Sequence, residues 1–276
     1  MKVDCVALDL DETTLNRHSQ LSPPTRAALE QLMDQGIEVV LASGRGFQTF
    51  PKELVSFPGI RYAIASNGTS IVDLTTGNYI YQQCLSPQAV DTILEVTAPF
   101  PVQYETFMDG HGYADQRYIS APEHYGASPK TAAYIQATRN PVKDIRDFIH
   151  SHRDHLEAID LMVFDPQIRE QACRALEQSG APIYITSSTP FLVEISDENS
   201  GKESALRYLL DKLGIDPANT VAFGNGDNDA AMLAFCGCGI AVENATETCK
   251  AAADWITRHH DADGVVYALR HYLHLI

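Results

Sequence analysis

The residues that most constrain this chain are 3–15, VDCVALDLDETTL, an apolar run that ends in two carboxylates. A run rich in β-branched residues so near the start predicts a strand buried on both faces, at the centre of a parallel sheet. Asp9 and Asp11 stand where the run stops. Residues i and i+2 of a strand share a face, so we expect both carboxylates to point the same way, which needs a cation or a shared proton between them. Two solvated loop aspartates are the alternative, because the pattern D-x-D is common by itself.

Charge and composition exclude several classes of partner. The 276 residues include 36 Asp and Glu against 20 Lys and Arg, a formal net charge of −16, which argues against nucleic acid or an anionic membrane surface as main partner. A phosphorylated substrate is not excluded, because a local cation can reverse the field inside one cleft. No apolar run approaches membrane length and no signal peptide precedes the first strand, so we expect a cytoplasmic protein. The six cysteines are scattered, which predicts packing roles rather than disulfides or a zinc site.

Alternating strands and helices follow the first strand. Ser22 and Pro23 predict an N-cap and a first helical residue, and Gly36 ends that helix. Residues 37–42 predict a second buried strand, so strand, helix and strand form a right-handed parallel unit. Residues 62–65 predict a third strand. The second and third strands end in the small polar runs SGRG and SNGT, and ligands of open α/β sheets bind outside such carboxyl ends.

A change of character divides the chain into two parts. Residues 83–190 predict short antiparallel strands alternating with two or three helices, the pattern of an α+β insert with its own small sheet. The first pattern returns with a helix over 201–213 and a strand over 220–223, which ends in GNGDND. We therefore predict an α/β core formed by residues 1–82 and 191–276, interrupted by an α+β insert at 83–190.

The strand ends carry chemistry that fits one site. Their side chains, with one ammonium group from a helix start, are Asp9, Asp11, Ser43, Asn67, Lys202, Asp227 and Asp229. Hard oxygen ligands from separate loops suit Mg²⁺. A carboxylate can take a phosphoryl group to give a mixed anhydride that water cleaves, with a second carboxyl group as general acid and base. A hydroxyl and an ammonium would hold the phosphoryl oxygens, where charge spreads in the transition state.

At these positions the sequence resembles the haloacid dehalogenase-like (HAD) superfamily of phosphatases and its Cof-type IIB subfamily. DLDET at 9–13 matches the D-x-D-x-T motif, LASGR at 41–45 is similar to the second motif, and SNG at 66–68 is similar to the subfamily's Asn-Gly loop. Lys202 takes the place of the third-motif lysine, and GNGDNDAAM at 224–232 is similar to the acidic fourth motif. Five motifs in the right order, with a cap-sized gap between the second and the lysine, extend the resemblance over essentially the whole chain.

The resemblance implies a fold, a reaction and a set of site residues. The fold is α/β, a Rossmann-like HAD core with a parallel sheet plus an inserted α+β cap domain of the C2B type. The reaction is Mg²⁺-dependent hydrolysis of a small phosphate monoester, such as a sugar phosphate or another phosphorylated metabolite; we expect a monomer or homodimer. The implied catalytic residues are Asp9 as nucleophile, Asp11 as general acid and base, Ser43 and Lys202. The implied phosphate contacts are Gly44, Asn67, Gly68 and Asn228, and the implied Mg²⁺ ligands are Asp9, Asp11, Asn225 and Asp229.

Two departures from the family pattern bear on the metal site. Asn225 stands where the fourth motif normally has aspartate, so metal affinity is expected to fall unless Asp229, or less readily Asp227, compensates. Glu12 stands where glycine is commonest and adds negative charge at the rim of the site. Two other functions stay open: a phosphotransferase or mutase with the same intermediate, and a weakly active relative that only binds.

Several of these side chains also have ordinary structural explanations. Ser43 alone fits a helix cap, Asn67 fits an Asn-Gly turn, and Lys202 fits a first-turn helix residue. We expect Arg45 to fix its loop rather than contact substrate. The run HHD at 259–261 offers metal-ligand types, but adjacent residues rarely aim at one point, and a polar loop is the expectation.

Overall fold

The computed structural model describes residues 2–276, which divide into two compact units. The first unit comprises the chain up to Arg45, Phe50–Tyr81 and Gly201–Ile276. The second comprises Gly46–Thr49 and Gln82–Ser200. None of the helices in the described stretch is long and apolar enough to span a membrane.

Each unit is built on one sheet. In chain order, the strands of residues 2–276 are β1 (Cys5–Asp9), β2 (Glu38–Ala42), β3 (Tyr62–Ala65), β4 (Ser70–Asp73), β5 (Asn78–Gln82), β6 (Gln103–Met108), β7 (His111–Asp115), β8 (Arg139–Val142), β9 (Ala158–Met162), β10 (Ile183–Thr186), β11 (Leu192–Asp197), β12 (Thr220–Gly224), β13 (Cys238–Ala241) and β14 (Trp255–Ile256). The α-helices are α1 (Pro23–Asp34), α2 (Lys52–Val55), α3 (Pro87–Thr97), α4 (Gln116–Ser120), α5 (Pro129–Thr138), α6 (Ile145–Ser151), α7 (Pro166–Gln178), α8 (Lys202–Leu213), α9 (Ala230–Phe235), α10 (Glu247–Ala252) and α11 (Gly264–His271).

The sheet of the first unit has eight strands, with β1 near its centre. The strand order is β14-β13-β12-β1-β2-β3-β4-β5, parallel from β14 to β3 and antiparallel between β3 and β4. Every residue of β1 is buried, as the apolar run predicts. The register aligns Leu8 with Phe223 and Asp9 with Ala42. The carboxyl ends of β12, β1, β2 and β3 therefore lie side by side at one edge of the sheet.

Helix α8 packs against this part of the sheet and begins at Lys202. Leu206 and Leu209, spaced to share one helical face, are fully buried with Val40 and Ala222 of the sheet. Each leucine buried in this way stabilises the fold by roughly 1.5–3 kcal/mol relative to an exposed one. The position of α8 on the sheet fixes the position of its first residue.

The second unit carries a six-stranded sheet in the order β10-β11-β9-β6-β7-β8, antiparallel except between β7 and β8. Helices α3, α6 and α7 contribute to an apolar core that includes Val90, Ile149, Ile159 and Leu176. Successive residues of a strand point to opposite faces, so Asp160 lies on the face away from this core. The register places Asp160 between Glu105 of β6 and Glu194 of β11.

The elements differ from the sequence-based expectation in a few places. Strand β11 pairs with β9 and β10, so the second unit extends to Ser200, beyond the predicted boundary at 190. Within the described chain, the second unit contains five α-helices, α3 to α7, where two or three were expected, because α4 and α5 are short and follow β7 without a clear apolar period. Strand β8 and helix α10 have no counterpart in the prediction. A proline inside β8 and the short length of α10 weaken the usual signals.

Candidate active site

The chain turns sharply directly after β1, in a single π-turn formed by Leu10–Thr14. The Leu10 carbonyl accepts the Leu15 N–H at 2.9 Å, and the Thr14 hydroxyl donates to the Asp9 carbonyl at 2.6 Å. Glu12 has a φ of 57°, a left-handed conformation that costs a residue with a Cβ roughly 1–2 kcal/mol. Because β1 ends at Asp9, the residue at position 11 lies in this turn, and the expected shared strand face of the two carboxylates does not form.

Asp9 is paired with Lys202 in a buried cluster. The Lys202 Nζ donates to Asp9 Oδ1 at 2.7 Å and to Asp229 Oδ1 at 2.6 Å. The side chains of Lys202 and Asp229 are fully buried, and that of Asp9 is nearly so. Asp9 Oδ2 is buried as well and has no hydrogen-bond partner among residues 2–276. One oxygen of the central carboxylate is therefore left for a bound group.

Burial and charge set the protonation of this cluster. Burial raises the pKa of Asp9 to about 7; the Asp229 carboxylate adds to the rise, while Lys202 and the Thr13 hydroxyl oppose it. Burial alone would lower the pKa of Lys202, but Asp229 and Asp9 outweigh it and raise that pKa above its ordinary value. Two buried carboxylates with one ammonium carry a net negative charge, which is costly unless a proton or a further cation balances it.

Backbone contacts hold the start of α8 in place. Gly201 precedes the helix with a φ of 129°, and Gly68, with a φ of 92°, packs against it. A Cβ at residue 68 would lie 2.1 Å from the Gly201 carbonyl oxygen, so glycine is required there. The loop after β3 therefore contacts the backbone that carries Lys202.

The loop after β12 is folded around the Asp229 carboxylate. Its Oδ2 accepts the N–H groups of Asn225 and Gly226 at 2.8 and 2.9 Å, while its Oδ1 accepts Lys202. A Cβ at Gly224 would lie 2.4 Å from the Asp229 Cβ, which excludes larger residues. Asp229 therefore orders both the loop backbone and the lysine.

The same loop is connected to the turn after β1. The Thr13 hydroxyl donates to Asn225 Oδ1 at 3.0 Å, and it also lies close enough to Asp9 to lower the pKa of that carboxyl. Because the hydroxyl has one proton, it serves one of these acceptors at a time. Asp227 instead accepts the exposed Thr246 hydroxyl at 2.7 Å, away from the buried cluster.

Ser43, Asn67 and Asn228 form one hydrogen-bonded group of buried side chains. Asn228 Nδ2 donates to Asn67 Oδ1 at 2.8 Å, and the Asn67 N–H donates to the Ser43 carbonyl at 3.1 Å. The Ser43 hydroxyl accepts the Arg45 N–H at 3.2 Å, across Gly44. The structure thus brings together the side chains expected to contact phosphate.

Asp11 is bound by Arg45 rather than placed beside Asp9. The Arg45 Nε donates to Asp11 Oδ2 and its Nη2 to Asp11 Oδ1, both at 2.6 Å. The Asp11 side chain is 45% exposed and that of Arg45 is 15% exposed. This bidentate pair agrees with the expectation that Arg45 fixes a loop.

The HHD run at 259–261 lies beside the turn after β1. Its ligand atoms fall within 4.8 Å of one another. The Asp261 carboxylate, however, accepts the Arg17 main-chain N–H at 2.9 Å and the Arg17 Nε at 2.8 Å. His260 Nδ1 donates to the Leu15 carbonyl at 2.9 Å. The Asp261 carboxylate and the His260 ring therefore already have hydrogen-bond partners within the chain, as expected for a polar loop.

Comparison with known proteins decides the family. A sequence profile described as haloacid dehalogenase-like hydrolase matches residues 6–269. The chain belongs to this hydrolase family. It is 29% identical over 278 residues to the 5-amino-6-(5-phospho-D-ribitylamino)uracil phosphatase YwtE of Bacillus subtilis, covering 95% of this chain and 96% of the relative. It is also 29% identical over 289 residues to the phosphatase YwpJ of the same organism, covering 97% and 99%.

Solved structures of HAD-like hydrolases share the fold. One from B. subtilis has a TM-score of 0.83 at 25% identity, covering 98% of this chain and 99% of that one. The predicted HAD membership, the α/β class with an inserted cap and the enzyme class, a phosphatase-type hydrolase, are thereby confirmed.

Some residues at the HAD site were outside the predicted set. Thr13 belongs to the D-x-D-x-T motif, so its contact with Asn225 could have been expected from that motif. Asn244 and His260 contact the turn after β1 from more than 200 positions away in sequence. No local pattern marks Asn244, and the HHD run that contains His260 does not predict this contact, because both roles depend on how the chain returns to β1.

The residues of the HAD site fit a hard divalent cation such as Mg²⁺. Asp9 Oδ2 is buried and has no hydrogen-bond partner in the described chain. The loop after β12 offers a second oxygen, the Asn225 amide oxygen, which accepts the Thr13 hydroxyl. The cluster has a net negative charge, and oxygen ligands suit this ion. Asp229 accepts three hydrogen bonds, one from Lys202 and two from main-chain N–H groups of the loop, so its carboxylate orders the loop.

Proposed function

We propose that this HAD hydrolase is a Mg²⁺-dependent phosphatase of small phosphate monoesters that works through a phospho-aspartyl intermediate on Asp9. The observation that carries the proposal is the buried, unpartnered Asp9 Oδ2 in the described chain, next to the ammonium group of Lys202. The substrate class is supported by relatives that are phosphatases, one of them named for a phosphorylated ribitylamino-uracil.

The proposed reaction has two halves. One carboxylate oxygen of Asp9 attacks phosphorus, while the other would hold Mg²⁺, and the bond from phosphorus to the leaving oxygen breaks as the Asp11 carboxyl gives its proton to the departing alkoxide. Asp11 then takes a proton from water as the water oxygen attacks phosphorus, which releases inorganic phosphate and the Asp9 carboxylate. Bound Mg²⁺ would offset the negative charge of the phosphoryl group and of Asp9.

The buried polar groups would stabilise the phosphoryl oxygens in both halves. The Lys202 ammonium stays charged, because its two carboxylate neighbours raise its pKa despite the opposing effect of burial. The Ser43 hydroxyl and the backbone of Gly44 and Gly68 lie in the adjoining loops, and Asn67 and Asn228 hold those loops together. Fixed donors of this kind are most effective where charge develops in the transition state.

The contact between Asp11 and Arg45 has a consequence for the proton transfer. A bidentate guanidinium holds the Asp11 carboxyl group in one orientation, away from Asp9. We propose that the half-exposed Asp11 side chain rotates away from Arg45 to reach the leaving group, and that Arg45 receives it again afterwards.

We propose Asp9, the main-chain carbonyl of Asp11 and the Asn225 amide oxygen as direct Mg²⁺ ligands. Asp229 completes the predicted set, and its hydrogen bonds to Lys202 and to the loop backbone support a role in ordering the loop that would hold the ion. With Asn225 neutral, Asp9 would be the one direct ligand with a formal charge.

The experiment that tests the proposal traps the intermediate. The full-length protein is incubated with Mg²⁺ and an aryl phosphate, quenched, and treated with borohydride, which reduces an acyl phosphate of aspartate to homoserine. Mass spectrometry should locate homoserine at position 9 in the wild-type protein and not in Asp9→Asn or in a sample with EDTA. Phosphate release by Asp9→Asn at the wild-type rate would refute the proposal.

The same reaction distinguishes hydrolysis from transfer. An alcohol such as glycerol is added at increasing concentration, and free phosphate and phosphorylated alcohol are measured together. A phosphatase gives free phosphate as its main product throughout. Predominant phosphorylation of the alcohol would indicate a phosphotransferase with the same Asp9 intermediate.

A further inference from the structure

The turn after β1 is held by two side chains from the C-terminal part of the chain, Asn244 and His260. Asn244 Nδ2 donates to the Glu12 carbonyl at 2.9 Å. His260 Nδ1 donates to the buried Leu15 carbonyl at 2.9 Å, which assigns the imidazole proton to Nδ1 because a carbonyl can only accept. The main-chain N–H of His260 in turn donates to Asn244 Oδ1 at 3.1 Å. Both halves of the turn are therefore connected to the same pair of residues.

These contacts act on a part of the turn that is strained. Glu12 has a φ of 57°, and its carbonyl is the atom that Asn244 binds. A hydrogen bond to this carbonyl fixes the orientation of the peptide between Glu12 and Thr13. In the absence of that bond, the cost of the left-handed conformation favours other orientations of the peptide.

The peptide fixed in this way carries Thr13 into the site. The Thr13 hydroxyl donates to Asn225 Oδ1 at 3.0 Å, and Asn225 is a proposed Mg²⁺ ligand beside Asp9. The contacts thus run from the His260 main chain to Asn244, from Asn244 to the Glu12 carbonyl, and from Thr13, the next residue, to Asn225. The His260 side chain holds the other end of the turn, at the Leu15 carbonyl. Neither Asn244 nor His260 makes a hydrogen bond to Asp9 itself.

We propose that His260 and Asn244 are positioning residues for catalysis, which set the orientation of the turn that carries Asp11 and Thr13. The inference rests on the proposed phosphatase function, because its effect is on the rate of the step at Asp9. It assigns to the C-terminal segment a role in turnover that goes beyond packing. Asp261 adds a further anchor to this segment through its hydrogen bonds to Arg17.

A matched control separates positioning from stability. Thr257 lies in the same segment, is buried, and donates its hydroxyl to the Gly264 carbonyl at 2.7 Å rather than to a residue of the turn. Thr257→Val removes a hydrogen bond of similar burial to that of His260. We expect it to lower the denaturation midpoint about as much as His260→Ala while its kcat stays at the wild-type value.

The test measures steady-state turnover of p-nitrophenyl phosphate with Mg²⁺. His260→Ala should lower kcat about 10-fold with less than about a twofold change in KM, the effect of losing one or two positioning hydrogen bonds. Asn244→Asp keeps the acceptor for the His260 N–H but turns an oxygen toward the Glu12 carbonyl, and it should show a similar loss. His260→Asn keeps a donor near the Nδ1 position and should recover to within about threefold of wild type, whereas His260→Gln should not.

A second measurement follows the turn without turnover. Hydrogen exchange of residues 10–16 should be faster in His260→Ala and Asn244→Asp than in wild type, and unchanged in Thr257→Val. The inference is overturned if both turn variants keep the wild-type kcat, or if Thr257→Val loses as much kcat as His260→Ala. Failure of the phosphatase proposal is recognised separately, because then Asp9→Asn would turn over like wild type.

Discussion

Replacing Lys202 by methionine removes the only cation that the described chain places between Asp9 and Asp229. Methionine has a similar length and fits an apolar space, so the change is chiefly one of charge. Nζ lies 2.7 and 2.6 Å from the two carboxylate oxygens, and its loss leaves two buried carboxylates without that partner. Removing one member of a buried ion pair typically costs about 3–5 kcal/mol.

The pH dependence follows from Asp9. Burial and Asp229 raise the pKa of Asp9 to about 7, and the loss of Lys202 removes an effect that opposes this rise. A carboxyl group with a raised folded-state pKa retains a proton that the unfolded chain releases, so stability falls as pH rises above the ordinary value near 3.8. The destabilisation by Lys202→Met should therefore be smaller at pH 5.5 than at pH 8.

The assay is urea unfolding in EDTA, so that no added cation replaces the ammonium. Trp255 is the single tryptophan of the chain and lies on β14 of the first unit, with its ring 5.0 Å from that of Tyr272, so its fluorescence reports on the unit that contains Lys202. With a urea m-value of about 2 kcal/mol/M, the midpoint should fall by about 1.5–2.5 M at pH 8.

Two variants decide whether the cause is electrostatic. Adding Asp9→Asn to Lys202→Met removes one of the two unpaired charges and should recover a large part of the loss at pH 8. The control Lys250→Met breaks a pair with the exposed Glu247 and should change stability by less than about 0.5 kcal/mol. A double variant no more stable than Lys202→Met, or a loss that does not depend on pH, would refute the reasoning.

Three shorter predictions address other parts of the chain. Asn225→Asp should tighten Mg²⁺ binding several-fold by calorimetry, because it adds charge at a proposed ligand; an unchanged affinity would remove Asn225 from the ligand set. Burial, Glu194 and Glu105 raise the pKa of Asp160, so wild-type stability should decline as pH rises above the ordinary value of 3.8, by at most about 1.4 kcal/mol per pH unit from this group. Asp160→Asn should reduce that decline in urea titrations from pH 4.5 to 8, and an identical slope would contradict it. Gly68→Ala should destabilise the first unit by more than about 1 kcal/mol, since its Cβ meets the Gly201 oxygen; a wild-type midpoint would show that the loop can shift freely.

Much of the core could be predicted because its signals are local. The apolar run of β1 is buried throughout, and Ser22 caps α1 by accepting the Thr25 N–H. Parallel strands align their carboxyl ends, so polar residues after successive strands had to meet at one edge of the sheet. The position of Lys202 could not be predicted from local signals, because it depends on how α8 packs on the sheet. Its place at the site was predicted from the family's motif pattern.

The position of Asp11 could not be read from strand periodicity. The strand ends two residues before it, and the chain turns with Glu12 in a left-handed conformation that no apolar pattern reveals. Its partner Arg45 comes from the loop after β2, 34 positions away in sequence. Periodicity determines which face a residue takes within a strand, but not where the strand stops.

Asn225, in place of the aspartate usual in the fourth motif, changes the charge of the site but not the backbone of its loop. The Asn225 N–H donates to Asp229, and its side-chain oxygen accepts the Thr13 hydroxyl, both contacts that an aspartate could also make. The geometry of the loop therefore does not depend on the amide group. What the amide does change is the balance around Asp9, where one ammonium already faces two buried carboxylates. A third carboxylate would increase the demand for a cation, so we expect asparagine at position 225 to weaken the electrostatic attraction for a Mg²⁺ ion bound there.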